Sequence, residues 1–246
     1  MDTGLKGRTA LITGASRNLG SMAALAFARE GANLAICTSA KMKELGEVAE
    51  QARALGAKVV AEKCDVTDGA AVAAFVRKTR DQLGRIDVVV NIAGFRAESK
   101  FLEGGFEEWT RAIAVNLTGP YHVCRNVLPL MIERRWGRII NISGVAPYLG
   151  GGATKAMVKL GIVGFTRGLA REVADHNITA NCIGPGAIAR AERDPGDHDR
   201  ELRSSQPVRR LGRPEDITTL MLHLAGENSG FITGQCYLVN GGAYFQ

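Results

Sequence analysis

Lys155 and Lys159 stand four residues apart in a stretch of helical periodicity, so both amines project from one helix face. Like charges so placed disfavour each other's charged form, and a lysine poised in that way can serve as a general acid/base or as a Schiff-base amine. Tyr148, in the loop Ala146-Pro147-Tyr148-Leu149-Gly150, offers a phenol as a second proton carrier. A different chemistry is written near the start of the chain. Thr13-Gly14-Ala15-Ser16-Arg17-Asn18-Leu19-Gly20 follows the apolar run Ala10-Leu11-Ile12 and opens an apolar-periodic segment. Strand, glycine turn and helix start in that order form a phosphate cradle, because unpaired N–H groups at the helix N-terminus point at the anion. Gly14 permits the tight turn, and Gly20 lets helix and strand pack closely.

The elements that must position these groups alternate along the chain. Strand-like runs are expected at Arg8 to Ile12, Asn33 to Cys37, Lys58 to Lys63, Asp87 to Asn91, Arg138 to Ile142, Ile178 to Ile183 and Cys236 to Val239. Helical runs separate them, including a long one from Glu107 to Arg135 and a helix starting at Pro214. Val88-Val89-Val90 and Ile139-Ile140 are apolar on both faces, as a parallel sheet covered by helices requires. The expected fold is α/β, a doubly wound Rossmann-type parallel sheet flanked by helices, in one domain spanning 1–246. Its functional loops belong at the carboxyl ends of the strands. Periodicity breaks at 190–210, polar and charged with Pro195-Gly196, which reads as a substrate flap.

Composition narrows the function classes. The chain has 246 residues, 46% hydrophobic and 23% charged, enough for one large core. It has no eighteen-residue apolar run and no basic-then-apolar leader, so a soluble, cytoplasmic protein without a membrane partner is expected. The net charge of +6 is spread along the sequence without aromatic interleaving, which argues against nucleic acid and for anionic cofactors or acidic small-molecule substrates. Five cysteines lack a CxxC and have no histidine at ligand spacing; they read as reduced core thiols, with no metal site.

Taken in order, several segments resemble the short-chain dehydrogenase/reductase family, from Lys6 to Gly242. The turn Thr13-Gly14-x-x-x-Asn18-x-Gly20 is similar to the family's TGxxxGxG, Cys64-Asp65-Val66 to its adenine loop, and Asn91-Ile92-Ala93-Gly94 to its NNAG segment. Asn116, Pro185-Gly186, Gly212-Arg213-Pro214-Glu215-Asp216, Thr233-Gly234-Gln235 and Asn240-Gly241-Gly242 also fit. The resemblance implies a nicotinamide dinucleotide held by Gly14, Ser16, Arg17, Asn18, Leu19, Gly20, Thr38, Ser39, Asp65, Val66, Asn91, Ala93, Gly94, Lys159, Pro185, Gly186 and Ile188, and it implies a homotetramer. Asn18 replaces the middle glycine of the turn, where it must tolerate a left-handed backbone. The second strand ends in Cys37-Thr38-Ser39-Ala40-Lys41, without the carboxylate that would bind a ribose 2′-OH. Arg17 and Lys41 can neutralise a 2′-phosphate there, with Thr38 and Ser39 donating to it, so NADP(H) is favoured over NAD(H).

The family's catalytic residues are a Tyr, a Lys one helical turn later, an upstream Ser and an Asn. Asn116 matches the Asn; the Tyr-x-x-x-Lys is absent. The simpler register makes Lys159 the cofactor lysine and puts Lys155 at the tyrosine position. A second register makes Lys155 the lysine and puts Gly151 at the tyrosine position. Gly144 falls where the family has its serine, and Ser143 lies one residue early, which along a strand turns the side chain to the other face. Lys155 or Tyr148 is therefore the candidate replacement acid. Three functions follow: an NADP(H)-dependent oxidoreductase on a carbonyl or secondary alcohol, a non-redox lyase, dehydratase or isomerase on the same scaffold, or a nucleotide-binding protein without turnover. Phe95, Arg96 and Arg190 lie where a substrate could touch them.

Overall fold

The computed structural model describes residues 2–189 and 206–245. Among the described residues, seven strands form one parallel sheet in the order β3-β2-β1-β4-β5-β6-β7. They are β1 (Thr9–Thr13), β2 (Asn33–Thr38), β3 (Val59–Lys63), β4 (Val88–Asn91), β5 (Gly137–Ile142), β6 (Ile178–Pro185) and β7 (Cys236–Val239). The helices are α1 (Asn18–Arg29), α2 (Met42–Ala54), α3 (Gly69–Leu83), α4 (Phe106–Ile113), α5 (Gly119–Arg134), α6 (Ala153–Val173) and α7 (Pro214–Ala225). The doubly wound α/β architecture expected from the alternation is the one observed. Residues 190–205, and with them Arg190 and most of the flap, lie outside the described residues.

Strand alternation divides the apolar residues between two cores. Ala10, Ile12, Val88, Val90 and Ile140 pack with Phe27 of α1, Leu45 of α2 and Met221 of α7. Leu11, Val89 and Ile139 face the other way, against Phe75 of α3, Val127 of α5 and Leu169 of α6. Both faces of the central strands are thus removed from water, which is why their sequences show no polar alternation.

Local chemistry sets several element ends. The Asp68 carboxylate accepts from the Ala70 and Ala71 amides to cap α3, and Gly84 ends that helix at φ 76°. Pro214 opens α7, where the Asp216 carboxylate accepts the Arg213 amide at 2.6 Å. The long helix expected over Glu107 to Arg135 is two helices joined by a π-turn at Ala114–Thr118. Asn116 is the cause: inside the turn its amide donates to the carbonyls of Ala112 (2.9 Å) and Phe95 (2.7 Å), tying the helix to the loop after β4. A Cβ on Gly119 would lie 2.7 Å from Val66, so this junction also needs a glycine to meet the loop after β3.

Candidate active site

A cleft of about 770 Å³ opens at the carboxyl ends of β1, β2, β3, β4 and β6. The turn after β1 is its floor. Gly14 has φ 68°, and a Cβ on Gly20 would sit 2.1 Å from the Gly14 carbonyl oxygen, so the turn closes only with glycine at both places. Asn18 adopts φ 49°, the left-handed backbone its position demands. Thr13 Oγ1 accepts from the Ile92 and Ala93 amides, both at 3.1 Å, and locks the loop after β4 beside the turn.

Of the residues expected to hold a dinucleotide, Gly14, Ser16, Arg17, Asn18, Leu19, Gly20, Thr38, Ser39, Asp65, Val66, Ala93, Gly94, Pro185, Gly186 and Ile188 all line this cleft. Ser16 and Thr38 are buried with their hydroxyls 3.3 Å apart, and the Lys41 amide donates to Thr38 Oγ1. Lys41 lines the same corner and forms an exposed pair with Glu44 at 3.3 Å. A Cβ on Gly186 would stand 2.7 Å from Asn240 Cα, so the loop after β6 meets the chain after β7 directly. A backbone cradle, two buried hydroxyls and two cations make a donor set that suits a phosphorylated dinucleotide.

Asn91 is not among the residues that line the cleft. Its position at the end of β4 turns the side chain into the sheet, where it donates to Asn141 Oδ1 at 2.8 Å, and Asn141 in turn donates to Thr166 Oγ1 of α6 at 2.9 Å. That buried chain ties β4, β5 and α6 together, and the neighbouring residues Ile92 to Gly94 line the cleft in its place. Sequence reading missed Val115 and Arg111. They lie one helical turn apart on the face that meets the cleft, with the Arg111 guanidinium 5.4 Å from the Phe95 ring centre.

The other candidates, Asn116, Ser143, Tyr148, Lys155 and Lys159, are not among the residues that line this cleft, so Lys159 joins Asn91 as an expected dinucleotide contact outside it. Asn116 Oδ1 is 3.3 Å from where a Gly94 Cβ would be. Lys155 and Lys159 share α6, as their spacing requires. The Lys159 ammonium donates to the Ile142 carbonyl at 3.1 Å, and burial, reinforced by the like charge of Lys155, lowers its pKa to about 8. Ser143 is buried and donates to the Lys159 carbonyl at 2.7 Å, so its hydroxyl serves the packing of α6 on β5. Tyr148 is drawn elsewhere: its ring stacks on Tyr244 at 5.1 Å and its hydroxyl meets Cys236 of β7. Burial first, and then the neighbouring thiols, raise its pKa, the wrong direction for a group that must release a proton near neutrality.

A family model described as enoyl-(acyl carrier protein) reductase matches residues 14–244, and thus both the glycine turn and the chain after β7. This chain is a short-chain dehydrogenase/reductase. Members of the family similar to it include a hydroxy(phenyl)methylsuccinyl-CoA dehydrogenase subunit of Thauera aromatica, 37% identical over 97% of each chain. A 3-oxoacyl-(acyl-carrier-protein) reductase of Thermotoga maritima is 35% identical over 97% of this chain and 98% of its own. The short-chain dehydrogenase/reductase of Serratia marcescens superposes with a TM-score of 0.92 at 31% identity, covering 97% of this chain and 98% of that one. Membership accounts for a cleft that suits a nicotinamide nucleotide. No helix among the described residues is long and apolar enough to cross a membrane.

Proposed function

We propose that this short-chain dehydrogenase/reductase is an NADP(H)-dependent oxidoreductase acting on a carbonyl or secondary alcohol, with Lys155 in the proton-transfer role that the family gives to tyrosine. The observation that carries the cofactor choice is the corner where β2 ends: Arg17, Thr38, Ser39 and Lys41 line it, and β2 ends without a carboxylate. When bound, the cofactor would supply the hydride for reduction of the carbonyl, held by the residues of the glycine turn and the end of β2. Lys155, half-buried one helical turn before Lys159, gives its ammonium proton to the carbonyl oxygen as that bond becomes a hydroxyl, and the neutral amine then recovers a proton from water. Lys159 keeps a second amine one helical turn further along α6, tied to the Ile142 carbonyl. Asn116 holds the Phe95 carbonyl and so the loop on which the substrate rests.

The assignment of Lys155 is supported by its place on α6 four residues before Lys159, and by the raised pKa of Tyr148, the alternative acid, whose ring stacks on Tyr244. The test is reduced-nicotinamide consumption with a panel of ketones, β-ketoesters and β-ketoacyl thioesters, run with NADPH and NADH side by side. Turnover with NADPH that disappears in Lys155→Met, while NADPH still raises the melting temperature of that variant, is the expected result. Binding without turnover across the panel identifies a nucleotide-binding protein instead, and product formation without cofactor oxidation identifies a lyase or isomerase.

A further inference from the structure

Tyr148 leads to a second group of reactive side chains. Cys182 and Cys236 are register partners on adjacent strands β6 and β7, and both face α6, where Cys182 packs with Ile162 and Val163. Cys182 is fully buried, whereas Cys236 is half-buried on the edge strand and lines a separate cavity of about 520 Å³ with Asn240, Tyr244 and Phe245. Cys236 lies beside Cys182 across the β6–β7 pairing, and the Cys182 thiol, the Tyr148 hydroxyl and the Arg167 guanidinium are near enough to favour its anion. These contacts, the Cys182 thiol foremost, outweigh burial and bring the Cys236 pKa down to about 7. Cys182 moves the opposite way, as the donor of the pair. One thiol is thus prepared as a nucleophile and its neighbour is held in reserve as a protonated partner.

We propose that Cys236 is a hydroperoxide-sensitive modification site and Cys182 its resolving thiol. The Cys236 thiolate attacks one peroxide oxygen; the S–O bond forms as the O–O bond breaks, the other oxygen leaves with a proton as water or an alcohol, and the sulfur becomes a sulfenic acid. Cys182 then attacks that sulfur, the S–S bond forms as the S–O bond breaks, and the oxygen leaves as water. The peroxide is the two-electron oxidant for the dithiol. Among the described residues β7 ends the sheet and pairs with β6 alone, so the shift that disulfide geometry asks for falls on that one pairing. The product clamps β7 to β6 directly under the helix that carries Lys155 and Lys159. The proposal uses no part of the cofactor reading and stands or falls apart from it.

The experiment is titration of the purified protein, in its native assembly, with hydrogen peroxide at neutral pH, followed by thiol counting and peptide mapping. Expected is the loss of two thiols and a Cys182–Cys236 cross-linked peptide. In Cys182→Ser the reaction should stop at a sulfenic acid on Cys236 that dimedone traps, and Tyr148→Phe or Arg167→Gln should slow the first step several-fold. Should Cys182→Ser not fold, bimane labelling of wild-type Cys236 against pH reads the same site, with a midpoint near 7. A Cys37–Cys64 cross-link in its place, Cys236 labelling as slowly as the buried Cys124, or a midpoint at the ordinary thiol value of about 8.5 would each overturn it.

Discussion

The dinucleotide cleft and the β5–α6 region differ in how far they depart from the family pattern. At the β1 and β2 end, Asn18 replaces a glycine and Ile92 an asparagine, yet the cradle is intact. At β5 and α6, the sequence has no Tyr-x-x-x-Lys, and the simpler register puts Gly144 at the family's serine position. The contrast comes from which atoms do the work. Phosphate is held by main-chain N–H groups at a helix N-terminus, and any side chain that leaves the backbone path alone is tolerated. Asn18 shows this at φ 49°. Proton transfer needs one ionisable atom at one place, and moving the serine by one residue along a strand sends its hydroxyl to the Lys159 carbonyl.

That contrast can be broken most sharply at Lys155. Replacing it by Met should lower kcat by about 10²- to 10⁴-fold while NADPH affinity stays within a few-fold, measured by steady-state kinetics and calorimetry. An unchanged kcat would remove Lys155 from the proposed role. Restoring the family pattern should work in the other direction. The nearest atom to a Cβ on Gly144 is the Pro185 oxygen at 3.9 Å, so there is room for a side chain, and Gly144→Ser with Lys155→Tyr should recover at least about a hundredfold over Lys155→Met. No recovery would mean that the β5 end has changed in more than its side chains.

Smaller effects sharpen the cofactor side. Arg17→Ala with Lys41→Ala should shift the NADPH-to-NADH affinity ratio by about 10- to 100-fold toward NADH, since two cations facing a 2′-phosphate are lost. An unaltered ratio would place the 2′-phosphate elsewhere. Lys159 carries a pH signature. Its folded pKa of about 8 lies below the ordinary lysine value, so the folded state releases this proton while the unfolded chain still holds it. The buried cation therefore costs stability below pH 8, and that cost is relieved as pH rises from about 8 toward the ordinary lysine value. Urea unfolding at several pH values should show wild type gaining on Lys159→Met across this window, and parallel curves would contradict the buried cation. Asn18→Gly should change stability by less than about 1 kcal/mol and leave NADPH affinity intact, because the backbone is already where glycine would put it.

Periodicity and glycine placement were sufficient to read the alternating elements, the cradle and the carboxylate-free end of β2, because each is decided by neighbours within a few residues. The order of the strands and the faces they turn were not legible in the same way. Asn91 looks like a cofactor contact in its segment, and it becomes a core residue only once β5 brings Asn141 beside it. Tyr148 looks free to reach a substrate until Tyr244 and Cys236, at the far end of the chain, occupy its ring and hydroxyl. Cys182 and Cys236 carry no spacing motif, and they meet because β7 pairs with β6 in that register. The local chemistry of this protein is thus written in short stretches of chain. The fate of each side chain at the catalytic end was decided by tertiary structure, since a strand's partners, and with them the polar atoms a side chain meets, come from distant parts of the sequence.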